Sequence, residues 1–270
     1  MRTQQQKADA FRALHERPGA FIIPNPWDTG TARILADLGF EALATTSLGV
    51  ANMLGRSVTR ADVIDNCRAI CAASDLPVNA DLENGFADEP RAAAEAIRLA
   101  AEAGVVGASI EDYTNDRANP IYDFNLAVER VQAAVEMARK QLVPVMLTAR
   151  AEGGIRGRND IDEIVRRLQA FEKVGADVLY APGPWDLATI RLMTSAVKKP
   201  VNVVTGFLDP AITAAQLAEA GVKRISVGGA LSRLALAAFL RGAQEMRERG
   251  GFTWQREMLT GAQLKTLFGA

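Results

Sequence analysis

The chain has 270 residues, with 31 basic and 32 acidic side chains that leave a net charge of −1. This near balance argues against an extended nucleic-acid surface, which needs a basic excess, and no apolar run approaches the roughly 20 residues that span a bilayer. Its one histidine, His15, argues against a histidine-based zinc site and against a Ser-His-Asp triad.

The N-terminal stretch MRTQQQKADAFRALHERPGA is polar and helical, without the apolar core of a secretory leader, which makes the cytoplasm the expected location. Strand-type runs follow at Phe21–Ile23, Ala42–Thr45, Val78–Asp81, Ala108–Glu111, Val145–Ala149, Val178–Tyr180, Val201–Val204 and Arg224–Val227. Amphipathic stretches lie between them, among them Ala61–Ala73, Arg91–Ala103, Leu126–Arg139, Ile161–Val174 and Ile212–Ala220. Asp28 reads as the N-cap of the first helix after the first strand. Cys67 and Cys71, spaced i, i+4, read as two small apolar residues on one helix face rather than a disulfide. Leu38-Gly39-Phe40, Ala103-Gly104-Val105, Val174-Gly175-Ala176 and Ala220-Gly221-Val222 each read as a helix stop followed by a strand.

Eight strands alternating with helices predict a parallel sheet of repeated βα units. The absence of G-x-G-x-x-G after the first strand weakens a dinucleotide-binding reading. The expected fold is a (β/α)8 TIM barrel over residues 1–270 as a single domain. Residues 2–16 would form an N-terminal capping helix at its bottom, and Phe252–Ala270 an extra C-terminal helical tail able to pack on a partner subunit.

Catalytic groups of such a barrel sit at the C-terminal ends of its strands. Strand three ends at Asp81 and continues through Leu82 to Glu83, and strand four ends Glu111-Asp112. Neighbouring strands lie about 4.8 Å apart, so Asp81, Glu83 and Glu111 are expected to converge as metal ligands. Clustered carboxylates repel unless protonated or bound to a cation. Oxygen donors alone point to a hard ion, Mg²⁺ first and Mn²⁺ as the alternative. The bland alternative makes these acids helix caps or surface charges, most plainly for Glu83. Arg150 ends strand five and suits the grip of a substrate anion; its alternative is an ion pair with Glu152 or Glu111. Thr46, Ser47 and Leu48 form a small polar loop after strand two that could cradle an anion. Trp27 is placed over the barrel mouth. Asn202, which interrupts an apolar strand, and Tyr180 are expected to hydrogen-bond substrate.

With these residues in place the chain resembles the isocitrate lyase/phosphoenolpyruvate mutase superfamily. The resemblance rests on Pro24-Asn25-Pro26-Trp27-Asp28-Thr29-Gly30, on Thr46-Ser47-Leu48, and on Asp81-Leu82-Glu83-Asn84-Gly85-Phe86 against a D-x-D-x-G-[YF] motif. Glu111-Asp112 and Ala149-Arg150 complete it. It implies a Mg²⁺-dependent barrel acting on small 2-oxo or 2-hydroxy carboxylates through an enolate. Asp81 would then coordinate directly, Glu83 and Glu111 could act through metal-bound water, and Arg150 would bind the substrate anion. It also implies a homo-oligomer, a tetramer or dimer. The departures are informative. The loop Tyr113–Tyr122 has no cysteine, lysine or histidine, so the thiol acid/base of the isocitrate and methylisocitrate lyases is missing, and Arg56-Ser57-Val58-Thr59 lacks a further metal-shell aspartate. The expected activity is a Mg²⁺-dependent lyase cleaving or decarboxylating a small 2-oxo or dicarboxylic acid of oxaloacetate type. A hydrolase of a C–P or C–C bond and a non-catalytic 2-oxoacid-binding barrel are the alternatives.

Overall fold

The computed structural model describes residues 2–268; Gly269 and Ala270, the end of the expected tail, lie outside the described residues. In chain order the elements are α1 (Gln4–Glu16), β1 (Phe21–Ile23), α2 (Thr29–Asp37), β2 (Leu43–Ala44), α3 (Ser47–Leu54), α4 (Arg60–Ala73), β3 (Val78–Asp81), α5 (Pro90–Glu102), β4 (Gly107–Glu111) and α6 (Phe124–Arg139). They continue with β5 (Met146–Arg150), α7 (Ile161–Lys173), β6 (Val178–Tyr180), α8 (Leu187–Ser195), β7 (Val201–Val204), α9 (Ala214–Glu219), β8 (Arg224–Ser226), α10 (Ala230–Arg249) and α11 (Gly261–Phe268).

The eight strands form one parallel sheet in the order β1-β8-β7-β6-β5-β4-β3-β2, the curled sheet of a (β/α)8 barrel. No strand ladder joins β1 to β2 among the described residues; a backbone bond from Ala44 N to Pro24 O, 3.0 Å, crosses that seam. Asn25 reinforces it at the mouth. Its amide nitrogen donates to the carbonyl of Thr45, and its oxygen accepts from the backbone N–H groups of Val227 and Gly228.

The four glycine junctions behave as read: Gly39, Gly104, Gly175 and Gly221 all have positive φ, between 83° and 102°. Each ends a helix in a left-handed turn that costs a side-chain-bearing residue more. Between sheet and helices, Ile97, Leu147, Leu168, Phe171 and Leu179 are fully buried. Helix α1 starts at a capping box of Thr3 and Gln6 and closes the barrel bottom, where Phe11 and Leu14 pack with Phe21, Ile23, Ala44 and Val106. Lys7 Nζ ties it to the carbonyls of Cys71 and Ser74. His15 lies edge-on between Phe11 and Phe21, and burial, with Arg224 nearby, pushes its pKa down to about 3, so the ring is neutral.

One expectation changes, and the helical tail is present. The Thr46–Gly49 stretch is not an open loop: Thr46 is the N-cap of α3, its hydroxyl accepting from Gly49 N, and Ser47-Leu48-Gly49 is the first turn. The tail after Phe252 folds back on its own chain: Trp254 lies against Gly242 of α10, and α11 packs on α2. Asp28 is the N-cap of α2 as expected, in a capping box with Thr31. Among the described residues no helix is long and apolar enough to cross a membrane.

Candidate active site

Register brings the strand-end groups together. Parallel pairing sets Asp81 beside Ser109, Glu111 beside Arg150, and Arg150 beside Tyr180. Alternation along each strand then sends Asn79 and Asp81, Ser109 and Glu111, and Arg224 and Ser226 toward the barrel axis, where they line a cavity of about 770 Å³. Its size suits a small metabolite. Glu83, Thr46, Ser47, Leu48, Arg150, Tyr180 and Asn202 line it too. Trp27 is not among its lining residues. The turn before α2 holds it elsewhere: its N–H donates to Thr31 Oγ1, its carbonyl accepts from Asn66, and its Cβ lies against Gly49 of α3.

Arg150 is the hub. Its guanidinium reaches Asp81 Oδ1, Glu111 Oε2 and Glu152 Oε1, each at 2.8 Å, and stands 5.0 Å from the centre of the Tyr180 ring. The ion pairs with Glu111 and Glu152 that the sequence offered as an alternative role are therefore both present. Asp81 is held from the other side. Its Oδ2 accepts from both the backbone N–H and the hydroxyl of Ser47, each at 2.9 Å, and its own N–H donates to Thr45 Oγ1. The first turn of α3 thus offers its N-terminal N–H to a carboxylate, where the helix dipole favours negative charge.

Glu83 follows Asp81 in a tight turn. Its φ of 48° and that of Phe86, 60°, are left-handed without glycine. Gly85, φ 78°, lies so close to α5 that a Cβ there would come 2.6 Å from the carbonyl oxygen of Ala93. Arg130, 1% exposed, fixes this turn from beneath by donating to the carbonyls of Asn84, Ala87 and Asp88, its guanidinium 4.2 Å from the Tyr122 ring centre. Tyr122 in turn bonds Asp88 and Asn84. Behind Glu111, Asp112 accepts from Glu152 N and from Arg167, and burial pushes its carboxyl up to about 6.

The electrostatics are lopsided. Burial raises the Glu111 carboxyl well above its ordinary value, with Glu152, Asp81 and Glu83 adding to the rise and Arg150 opposing it. Burial and Asp81 raise Glu83. Glu152 is fully buried, and its Oε2 has no hydrogen-bond partner, the nearest cation being Arg156 at 3.5 Å. Around Arg150, then, the acids Asp81, Glu83, Glu111 and Glu152 outnumber the guanidinium groups of Arg150 and Arg156, a setting that favours a cation. The donor chemistry fits Mg²⁺. The arrangement differs from the convergent trio expected of the sequence, because the Arg150 guanidinium stands between Asp81 and Glu111. Among the described residues no three acids are grouped to enclose an ion unaided.

Comparison with known proteins places this geometry. Residues 11–247 match the family model for phosphoenolpyruvate phosphomutase. The chain belongs to the phosphoenolpyruvate phosphomutase family. Among solved structures, one from Burkholderia cenocepacia J2315, provisionally described as a lyase/mutase, is 54% identical and superposes with a TM-score of 0.96 over 99% of this chain and 97% of that one. An uncharacterized Mycobacterium tuberculosis protein is 31% identical, with 81% of each chain covered. An oxaloacetate decarboxylase of Ectopseudomonas mendocina is 27% identical over 88% of this chain and 83% of its own. The chain is thus an enzyme of the superfamily that unites isocitrate lyases with these mutases.

Several members of the site are not read from the sequence. Glu152 reads there only as an ion-pair alternative for Arg150, not as a member of the site. Thr45 and Asn25 act through bonds to backbone groups of other strands. Arg224 stands at the start of its strand, the end of a barrel that ordinarily serves stability.

Proposed function

We propose that the protein is a Mg²⁺-dependent lyase that cleaves or decarboxylates a small 2-oxo or dicarboxylic acid of oxaloacetate type. One observation carries the reading: an acid-rich cluster organised by Arg150 at the C-terminal mouth of the barrel. The likeness to an oxaloacetate decarboxylase over most of both chains supports the substrate class.

Asp81 is the proposed direct ligand, positioned by Ser47 and Thr45, with Glu83 and Glu111 reaching the ion through water. When bound, Mg²⁺ supplies Lewis acidity toward negative charge that grows on substrate oxygen. The chain's own residues bind and orient. The first turn of α3 and Arg150 present N–H donors to a carboxylate, and their bonds to fixed acids pre-set their direction, so little reorganisation accompanies reaction. Leu48, Val58, Phe86 and Phe207 give the polar floor an apolar rim. The segment after β4 carries Tyr113, Asn115 and Arg117 to the cavity and no thiol, lysine or histidine. The chemistry therefore favours a substrate whose bond breaks by expulsion of CO₂ or a 2-oxo acid without a thiol.

The test is a panel of 2-oxo and 2-hydroxy di- and monocarboxylic acids with Mg²⁺, assayed for pyruvate, glyoxylate and CO₂. Release from at least one member, abolished by EDTA and restored by Mg²⁺ or Mn²⁺, is expected. Phosphate or acetate release would mark a hydrolase instead, and binding without turnover a binding barrel. Calorimetric titration of Asp81→Ala should show Mg²⁺ affinity reduced by about tenfold or more; unchanged affinity would remove Asp81 from the metal site. A homo-oligomer is also proposed, since Leu234, Leu236, Phe239 and Leu240 of α10 leave apolar surface exposed; light scattering reads its state.

A further inference from the structure

Arg224 opens β8 with its side chain inside the barrel, 3% exposed, and it lines the same cavity below the strand-end cluster. Two of its nitrogens are anchored. Nε donates to Asn202 Oδ1 at 2.8 Å, and Nη2 donates to Thr148 Oγ1 at 2.9 Å. Asn202 is itself fixed, its amide nitrogen donating to Ser226 Oγ at 3.0 Å. The third nitrogen, Nη1, is buried without a partner.

The charge is also without a partner. Among the described residues no carboxylate lies within ion-pair distance of Arg224, whereas Arg150 has three. Beneath it lies His15, held neutral. Burial lowers the Arg224 pKa to about 9, which still leaves the group a cation at neutral pH. A buried guanidinium whose anchors are an amide and a hydroxyl is a costly arrangement, because neither anchor neutralises it. A water molecule could satisfy Nη1 but would leave the charge uncompensated. An anion does both, and a guanidinium edge is shaped for carboxylate.

Depth decides which anion. Arg224 bonds Thr148, two residues below Arg150 on β5, so its anchor lies one inward-facing level, about 6.6 Å of backbone, beneath the root of Arg150. That spacing suits the two ends of one short substrate.

We propose that Arg224 is the receptor for a second carboxylate, and that it makes the enzyme selective for short 2-oxo or 2-hydroxy dicarboxylic acids over monocarboxylic acids of equal length. The proposal rests on the reading of the cavity as a 2-oxoacid site and names the class that site accepts. Asn202 and Thr148 are positioning residues that hold the guanidinium and leave Nη1 as its unpaired donor.

The test uses two four-carbon probes that differ in one carboxylate, malate and 2-hydroxybutanoate, titrated calorimetrically with Mg²⁺ present. Wild type should prefer malate by about tenfold or more, the usual worth of a charge-assisted bond. In Arg224→Gln that preference should collapse through loss of malate affinity, while 2-hydroxybutanoate binds within about twofold of wild type. Should Arg224→Gln not fold, Asn202→Asp serves. It keeps the hydrogen-bonding shape but pairs the guanidinium internally, and it too should erase the preference. Equal weakening of both probes, or a wild-type preference retained in Asn202→Asp, overturns the assignment while leaving the site reading intact. So does wild type binding both probes alike. Wild type binding neither probe removes the 2-oxoacid reading and this proposal together.

Discussion

Replacing Arg150 by methionine is expected to lower turnover by about 100-fold or more, the scale on which a donor that stabilises developing charge acts. It should also cost about 3 kcal/mol of stability at pH 7, since it removes one partner from a partly buried ion cluster and leaves several acids facing one another. Arg150 has 14% of its side chain exposed, and Glu111 and Glu152 have 5% and 0%. The pH dependence has a definite sign. The Glu111 carboxyl is already raised by burial, and Arg150 is the cation that opposes the rise. Without it the folded state holds a proton more readily than the unfolded state does, so stability increases as pH falls. Urea unfolding at pH 7 and pH 5 should show the variant's deficit narrowing toward the lower pH. A deficit that is constant or wider at pH 5 would mean that the acids are not what Arg150 restrains. Arg150→Lys should recover part of the stability but little of the turnover, because an ammonium cannot span three carboxylates with a planar fork.

The second large effect lies outside the cavity. Arg130→Met is expected to destabilise the protein by about 3–5 kcal/mol, because three backbone carbonyls of the turn after β3 lose their buried donor. For a chain of this size that is a fall of roughly 10 °C in melting temperature, readable by calorimetry. Mg²⁺ affinity should fall as well, since Glu83 sits in the turn that Arg130 pins. Arg130→Lys, with one compact head in place of a fork, should behave nearly as badly. A variant that melts like wild type would show that the left-handed turn through Glu83, Gly85 and Phe86 holds itself.

Much of this was legible in the chain. The barrel was readable because its signals are local and repeat: an apolar run, a polar strand end, an amphipathic helix and a glycine that closes it, as at Gly104 and Gly175. The lining positions of Asp81, Glu111 and Arg150 followed from the same logic, since each ends an apolar strand at the mouth. What the chain concealed was direction and partnership. Trp27 sits in the expected segment, but its placement depends on Asn66 and Thr31 rather than on its neighbours. The reach of a long side chain was not legible either: Arg150 spans β3, β4 and the turn after β5 at once, and no spacing along one strand encodes that. Ser47 read as loop because Leu48-Gly49-Val50 is a weak helical sequence, and the N-cap Thr46 that starts the helix also fits a loop. Arg224 was in view as a strand residue; its lack of a counter-charge emerges only when β5, β7 and β8 are closed around it.

The seam between β1 and β2 gives the barrel an uneven stiffness. From β3 to β7 the strands form a continuous arc of ladders, and that arc carries Asp81, Glu111, Arg150 and Asn202. Across the seam the ring is completed by a backbone bond and the amide of Asn25. The compliant joint therefore borders Thr45 to Ser47, the segment that grips Asp81, while the rest of the cluster rides on the rigid arc. The groups of the site are thus unequally founded: the side that grips Asp81 from α3 adjoins a joint of one backbone bond and one side-chain amide, while Glu111 and Arg150 stand on strands laddered on both sides.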